Sequence, residues 1–306
     1  MRRAAGYRVR AVEAIGERQY HGRTVIDLYA LWDFQRADVS EARFRAALAA
    51  AQGEDVMVLR TQLARALGLQ RRFDEGAAEL DALGPEDELT PLVRTHLRLE
   101  RGRLLNSSGQ RDASIPHFLR GLETAEAAGL DVLAADAAHM LAIVETGEAQ
   151  IPWARRALAI AEASTDPRAR RWAESVTHNL GWTLHDLGRH EEALGEFQRA
   201  LELRQRQGDP ERIRVGRWTV ARELRGLGRL DEALAMQREL DTAGTEDGYV
   251  SEELGELLLG LGRPAEARPY FARASELLSR DAWLVSLEPE RVRRLARLGS
   301  AGVPAE

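Results

Sequence analysis

The chain has 306 residues, a formal net charge of −6, and 44% hydrophobic against 30% charged residues, a folded profile with room for two ordinary domains. Its lack of cysteine excludes disulfides, thiol catalysis and cysteinyl zinc sites. All 43 basic residues are Arg, which removes any phosphate-loop, Schiff-base or kinase-type lysine, and the negative charge argues against a general nucleic-acid binder.

Residues 1–22 carry five Arg against two Glu, show no strong period and read as a frayed helix or partly disordered arm. They lack the apolar core of a signal peptide, and no 18-residue apolar run occurs later in the chain, so a cytoplasmic protein with no membrane span is expected. Residues 23–34 read as a helix. Asp38 and Glu41 have capping-box spacing for a second helix at about 39–52, so that 23–55 forms a degenerate pair capping the N-terminal end of a longer helical array.

From residue 56 onward helices come in pairs. Expected pairs lie at 56–69 and 73–83, 90–107 and 111–128, 131–145 and 149–164, within 171–206 on either side of Gly188-Arg189-His190, at 211–227 and 230–242, and at 248–261 and 264–279. Within a pair only a tight turn is available, as at Gly188-Arg189-His190, and Gly-Pro or Asp-Pro breaks the chain between pairs. Leu187-Gly188-Arg189 returns as Leu227-Gly228-Arg229 and Leu261-Gly262-Arg263, each leading into an acidic residue and an aliphatic stripe. The stripes are too wide for two helices to hide alone, so the hairpins must stack. Residues 281–306 supply a C-terminal cap through Trp283, Leu284 and Leu295, ending in a tail. Pro116, Pro152 and Pro269 fall early in three second helices; either the first turn there is loosened or the helix starts later.

Leu180, Gly181, Leu184, Ala193, Phe197 and Ala200, and again Leu254, Gly255, Leu258, Ala267, Phe271 and Ala274, resemble the tetratricopeptide repeat family, in a longer-repeat form of bacterial type. The resemblance covers roughly 56–280 and implies an all-α, right-handed solenoid of stacked antiparallel helical hairpins. It also implies that ligands contact the first helix of each pair, on a concave face. On that face stand Arg65, then Arg103 and Asn106, then His139, then His178, Trp182 and His185. Beyond them come Trp218, Arg222 and Arg225, and finally Tyr249, Glu252 and Glu256. Arg and aromatic residues are types that anchor interfaces. Each also has an ordinary reading: the Trp residues buried between hairpins, the His residues hydrogen-bonded across the stack, and the Arg pair bridged to Glu252 and Glu256.

No catalytic motif is present, and no cofactor is implied. His178 and His185 are two turns apart and cannot share a metal ion, so no metal site is expected. The expected function is a non-catalytic protein- or peptide-binding scaffold whose partner is a protein or peptide segment, acidic where it meets Arg, with no direct nucleic-acid contact. The alternatives are a peptide-sensing regulator acting with a transcription or signalling partner, and an enzyme with an unrecognised helical active site.

Overall fold

The computed structural model describes residues 27–242 and 246–300. The expected arm at 1–22, the first four residues of the 23–34 helix, the side chain of Trp283 and the tail at 301–306 lie outside the described residues. The molecule divides into two compact units, one formed by the described residues up to Leu180 and the other by those from Gly181. The boundary falls inside the expected 56–280 array, within one helix.

In the first unit α1 is a single turn, Leu28–Leu31, and α2 spans Ala37–Leu48. Both differ from expectation in detail. Trp32 leaves α1 in extended conformation, and α2 has Arg36 at its N-cap, with Asp38 paired to Arg36 in place of a capping box. Ser40 makes the junction instead, accepting from the Asp33 amide at 2.7 Å and donating to the Asp33 carbonyl at 3.0 Å. Three hairpins come next: α3 Glu54–Leu69 with α4 Phe73–Asp81, α5 Pro91–Ser107 with α6 Arg111–Ala127, and α7 Asp131–Val144 with α8 Gln150–Ala163. A turn of helix, α9 Pro167–Arg170, leads into α10 Trp172–Asp186. The second unit continues through α11 His190–Gln207, α12 Pro210–Gly226, α13 Leu230–Thr242, α14 Gly248–Gly260, α15 Pro264–Leu278, α16 Ala282–Leu287 and α17 Pro289–Gly299. No strand occurs among the described residues, and none of their helices is long and apolar enough to cross a membrane.

The two helices of a hairpin start by different chemistry. Thr90, Asp166, Asp209 and Asp247 cap α5, α9, α12 and α14 with side-chain oxygens that accept backbone amides, and in the first three a proline comes directly after the cap. Four second helices begin instead with an Arg bridged to a Glu three residues on: Arg72–Glu75, Arg189–Glu192, Arg229–Glu232 and Arg263–Glu266. The residue before that Arg must turn left-handed. Gly188, Gly228 and Gly262 do so at φ 74, 76 and 71°, but the first hairpin uses Arg71 at φ 63°, where a side chain is strained.

A pair of positions 16 residues apart sets the helix separation. A Cβ on Gly102, Gly181 or Gly255 would lie 2.6, 2.6 or 2.8 Å from the ring of Phe118, Phe197 or Phe271, so only glycine admits those fully buried rings. Where the second-helix residue is smaller the first-helix residue grows, giving Ala64–Leu80, Ala138–Ala154 and Ala221–Gln237, all buried. Gln237 fills the aromatic place with an amide whose Nε2 and Oε1 have no hydrogen-bond partner.

The prolines divide between the two expectations. Pro152 is third in α8, which begins late behind a 3₁₀ turn at Gly147–Ala149, so its missing amide costs nothing. Helices α6 and α15 run straight through Pro116 and Pro269, each sixth in its helix, leaving the carbonyls of Asp112 and Ala265 without their usual donor. At the C-terminal end Leu284 and Leu295 are fully buried.

Candidate functional site

In the first unit the first-helix positions form a polar strip across α3, α5, α7 and the start of α10. Trp32 donates its indole N–H to Gln62 at 3.1 Å, and Gln62 Nε2 donates to His96 Nδ1 at 3.4 Å. Arg103 bridges Glu100 and Asp136, each at 2.5 Å. Asn179 Nδ2 donates to His139 Nε2 at 2.8 Å, and the His139 ring lies 5.3 Å from that of Trp172.

Electrostatics separates the two acids on Arg103. Burial pushes both upward; at Asp136 the charges of Arg103 and Arg65 outweigh it and hold the carboxyl below its ordinary value. Glu100 stays above its ordinary value because burial outweighs the same two cations, and its Oε2 has no hydrogen-bond partner. Burial, only partly offset by Asp136, pushes both His96 and His139 down to about 4.

Arg65 differs from its neighbours in the strip. Its guanidinium lies 5.3 Å from the ring of Trp32 and 5.5 Å from that of Phe34, with no hydrogen bond or ion pair among the described residues. Asn106, half-buried in the last turn of α5, likewise has no side-chain hydrogen bond among the described residues. The segment carrying α1 is seated on this strip. The phenol of Tyr29 is raised first by burial and then by Asp136, while Arg65, Arg168 and Arg103 pull it down.

The expected residues of the second unit are placed differently. Trp182 and Trp218 are 2% and 3% exposed, their rings 6.4 Å apart, so the buried reading is the one observed. Arg222 lies over both rings at 5.7 and 5.4 Å and reaches Glu253 at 3.2 Å, while Arg225 meets the same carboxylate at 2.7 Å. The partner of the Arg pair is therefore Glu253, not the expected Glu252 and Glu256. Those two acids are taken by α17, through Arg291 and Arg294 respectively, and Arg291 also covers Tyr249. His178, at the end of the first unit, is 3% exposed, and His139 is 5%.

His185 is directed elsewhere. Its Nδ1 lies 2.6 Å from Glu223 Oε2, and His190 Nδ1 lies 2.5 Å from the other oxygen of the same carboxylate. Sequence reading missed this trio because Glu223 is 33 and 38 residues from its partners and sits on the next hairpin. The only signal was the His185-x₄-His190 spacing across a tight turn.

Comparison with known proteins agrees with this architecture. Residues 172–240 match the tetratricopeptide repeat family model. No curated protein matches the chain. Among solved structures, the apo form of RapI is similar at 12% identity and TM-score 0.63, over 86% of this chain and 80% of that one. The apo form of the quorum sensor NprR from B. thuringiensis is similar at 15% identity and TM-score 0.60, over 89% and 78%. A signal-transduction ATPase with a tetratricopeptide repeat sensor from Pyrococcus horikoshii is similar at 13% identity and TM-score 0.67, over 88% of this chain and 44% of that one. Likeness at these identities concerns the fold. Together with the 16-residue Gly–Phe pairing and the recurring turns, it makes this chain a tetratricopeptide-type repeat protein.

Proposed function

We propose that the chain is a non-catalytic, cytoplasmic peptide-binding scaffold whose first unit takes an acidic segment along the polar strip. The observation that carries this reading is Arg65, a guanidinium set on two aromatic rings with no hydrogen bond or ion pair of its own among the described residues. A guanidinium so held is pre-organised for a bidentate contact with a carboxylate, and Asn106 adds an uncommitted amide on the same strip. Arg103 contributes charge but is already shared by Glu100 and Asp136. Two similar structures support the class of ligand: one is NprR with its cognate peptide, the other a Rap protein with Competence and Sporulation Factor. In the second unit Trp182, Trp218, Arg222, Arg225, Tyr249, Glu252 and Glu256 then serve to hold hairpins together.

Selection of displayed random peptides on the immobilised chain tests the reading. Binders rich in Asp and Glu are expected, weakened at least tenfold by Arg65→Ala and only partly restored by Arg65→Lys. Peptides that bind an Arg65→Glu variant as well as the parent would put the contact elsewhere and sink the reading.

A second reading, a peptide-sensing regulator acting with a separate transcription or signalling partner, draws on the α1 segment. Tyr29, Trp32 and Phe34 lie on the strip that a peptide would use, so a bound peptide would compete with them. Peptide-dependent proteolysis near residue 30 would separate a regulator from a passive scaffold.

A further inference from the structure

We propose that His185, His190 and Glu223 form a binding site for one divalent transition-metal ion of the zinc type. The turn Leu187–Gly188–Arg189 folds the last turn of α10 against the first residue of α11 and brings the two imidazoles together, their ring centroids 5.3 Å apart. Glu223, one turn from the end of α12, places one carboxylate oxygen against each ring. One ligand atom from each of the three residues can be chosen so that all lie within 4.8 Å of one another. Two imidazoles and a carboxylate are a zinc donor set that leaves a fourth position for water or a partner's side chain. A tetrahedral ion bonded at about 2.0–2.1 Å holds its ligand atoms about 3.3 Å apart, so the three atoms, now within 4.8 Å of one another, need shift by no more than about 1.5 Å.

Charge distinguishes this carboxylate from four other buried acids. Glu100, Asp136, Glu252 and Glu253 are also buried, and each faces at least one Arg guanidinium. Glu223, whose side chain is 1% exposed, faces two imidazoles and, among the described residues, makes no ion pair with a guanidinium. A divalent cation held between this carboxylate and the two imidazoles would balance the buried negative charge.

Access and space fit as well. The carboxylate forms the floor, while the two imidazoles are partly exposed and form a rim from which a hydrated ion can enter. Gly226, the next turn along α12, leaves the flank low. A Cβ there would stand 3.5 Å from His190 Nδ1 and 3.9 Å from Glu223 Oε1. The ring of His185 is steadied edge-on against the buried Trp182 at 5.3 Å. Each imidazole would bind through Nδ1, its remaining proton moving to Nε2.

The test uses the full chain without a histidine tag, stripped with a chelator and titrated with zinc chloride by calorimetry, then with cobalt(II) monitored by visible absorption. One equivalent of zinc and the strong visible bands of four-coordinate cobalt are expected. His190→Gln, at the rim, should weaken zinc at least tenfold without changing helicity, and Glu223→Gln should do the same where it folds. The proposal is overturned by absence of zinc binding, or by affinity equal to the parent's in both His185→Gln and His190→Gln. Either result would mean that the carboxylate only accepts two imidazole hydrogen bonds.

Discussion

The two units use the same first-helix positions in opposite ways. In the second, the inward charges pair within the unit: Arg222 and Arg225 share Glu253, Arg291 and Arg294 take Glu252 and Glu256, and the tryptophans stack beneath them. In the first, the strip is a row of polar groups that only partly satisfy one another, leaving Arg65, Asn106 and one oxygen of Glu100 without hydrogen-bond partners. Residue type at a repeat position therefore does not tell whether it binds or packs. What decides is the partner offered by the next hairpin or by a capping helix such as α17.

The sharpest way to break the second unit is at its helix spacing. Gly181→Val sets a branched side chain where even a Cβ would lie 2.6 Å from Phe197, and should cost about 3 kcal/mol or more, read as a fall in the urea midpoint by circular dichroism. Adding Phe197→Leu should recover part of that loss; no recovery would show that the ring is not what the glycine accommodates.

The first unit should instead fail on acidification. His96 and His139 titrate at about 4 when folded and near 6.5 when unfolded, so their contribution is complete above pH 6.5 and lost as pH falls towards 4. The loss approaches about 3 kcal/mol for each histidine at the lower limit. Stability measured across that range should flatten in a His96→Gln, His139→Gln double variant, and an unchanged slope would contradict the buried, neutral assignment.

Two smaller changes sharpen the contrast by improving each unit in turn. Gln237→Leu removes two unsatisfied amide atoms from the second unit and should stabilise it by about 1–3 kcal/mol. Arg71→Gly relieves the left-handed turn of the first unit and should add about 1 kcal/mol. Each gain is read as a rise in the urea midpoint, and a fall in either would refute the stated cause.

Most helices were legible from sequence because glycine turns and Asp-Pro or Thr-Pro starts punctuate the chain at fixed spacing. Boundaries such as 230–242 and 264–279 lie within a residue of α13 and α15. The α1 region was less legible, since Trp32 is drawn out of helix by packing beside Phe44 and by its bond to Gln62, a residue 30 positions away. Site chemistry was legible by residue type and much less by partner. Glu253 lies one position from Glu252, and that step along a helix moves a carboxylate by about 100°, enough to exchange Arg291 for Arg222 and Arg225. His185 looked like a groove residue because Glu223 becomes its neighbour only when hairpins stack.

The size matching between positions 16 apart also bears on how such a chain can change over generations. A helix bearing Gly102 accepts Phe118 but would leave a void over Ala154, and a helix bearing Ala138 would collide with any phenylalanine. Neither half of a hairpin can be exchanged alone without loss, whereas a whole hairpin carries both halves of its own fit. The natural unit of duplication, deletion and shuffling in this protein is the hairpin, and a library that recombines it at the inter-hairpin breaks should retain far more folded members than one cut at the Leu-Gly-Arg turns.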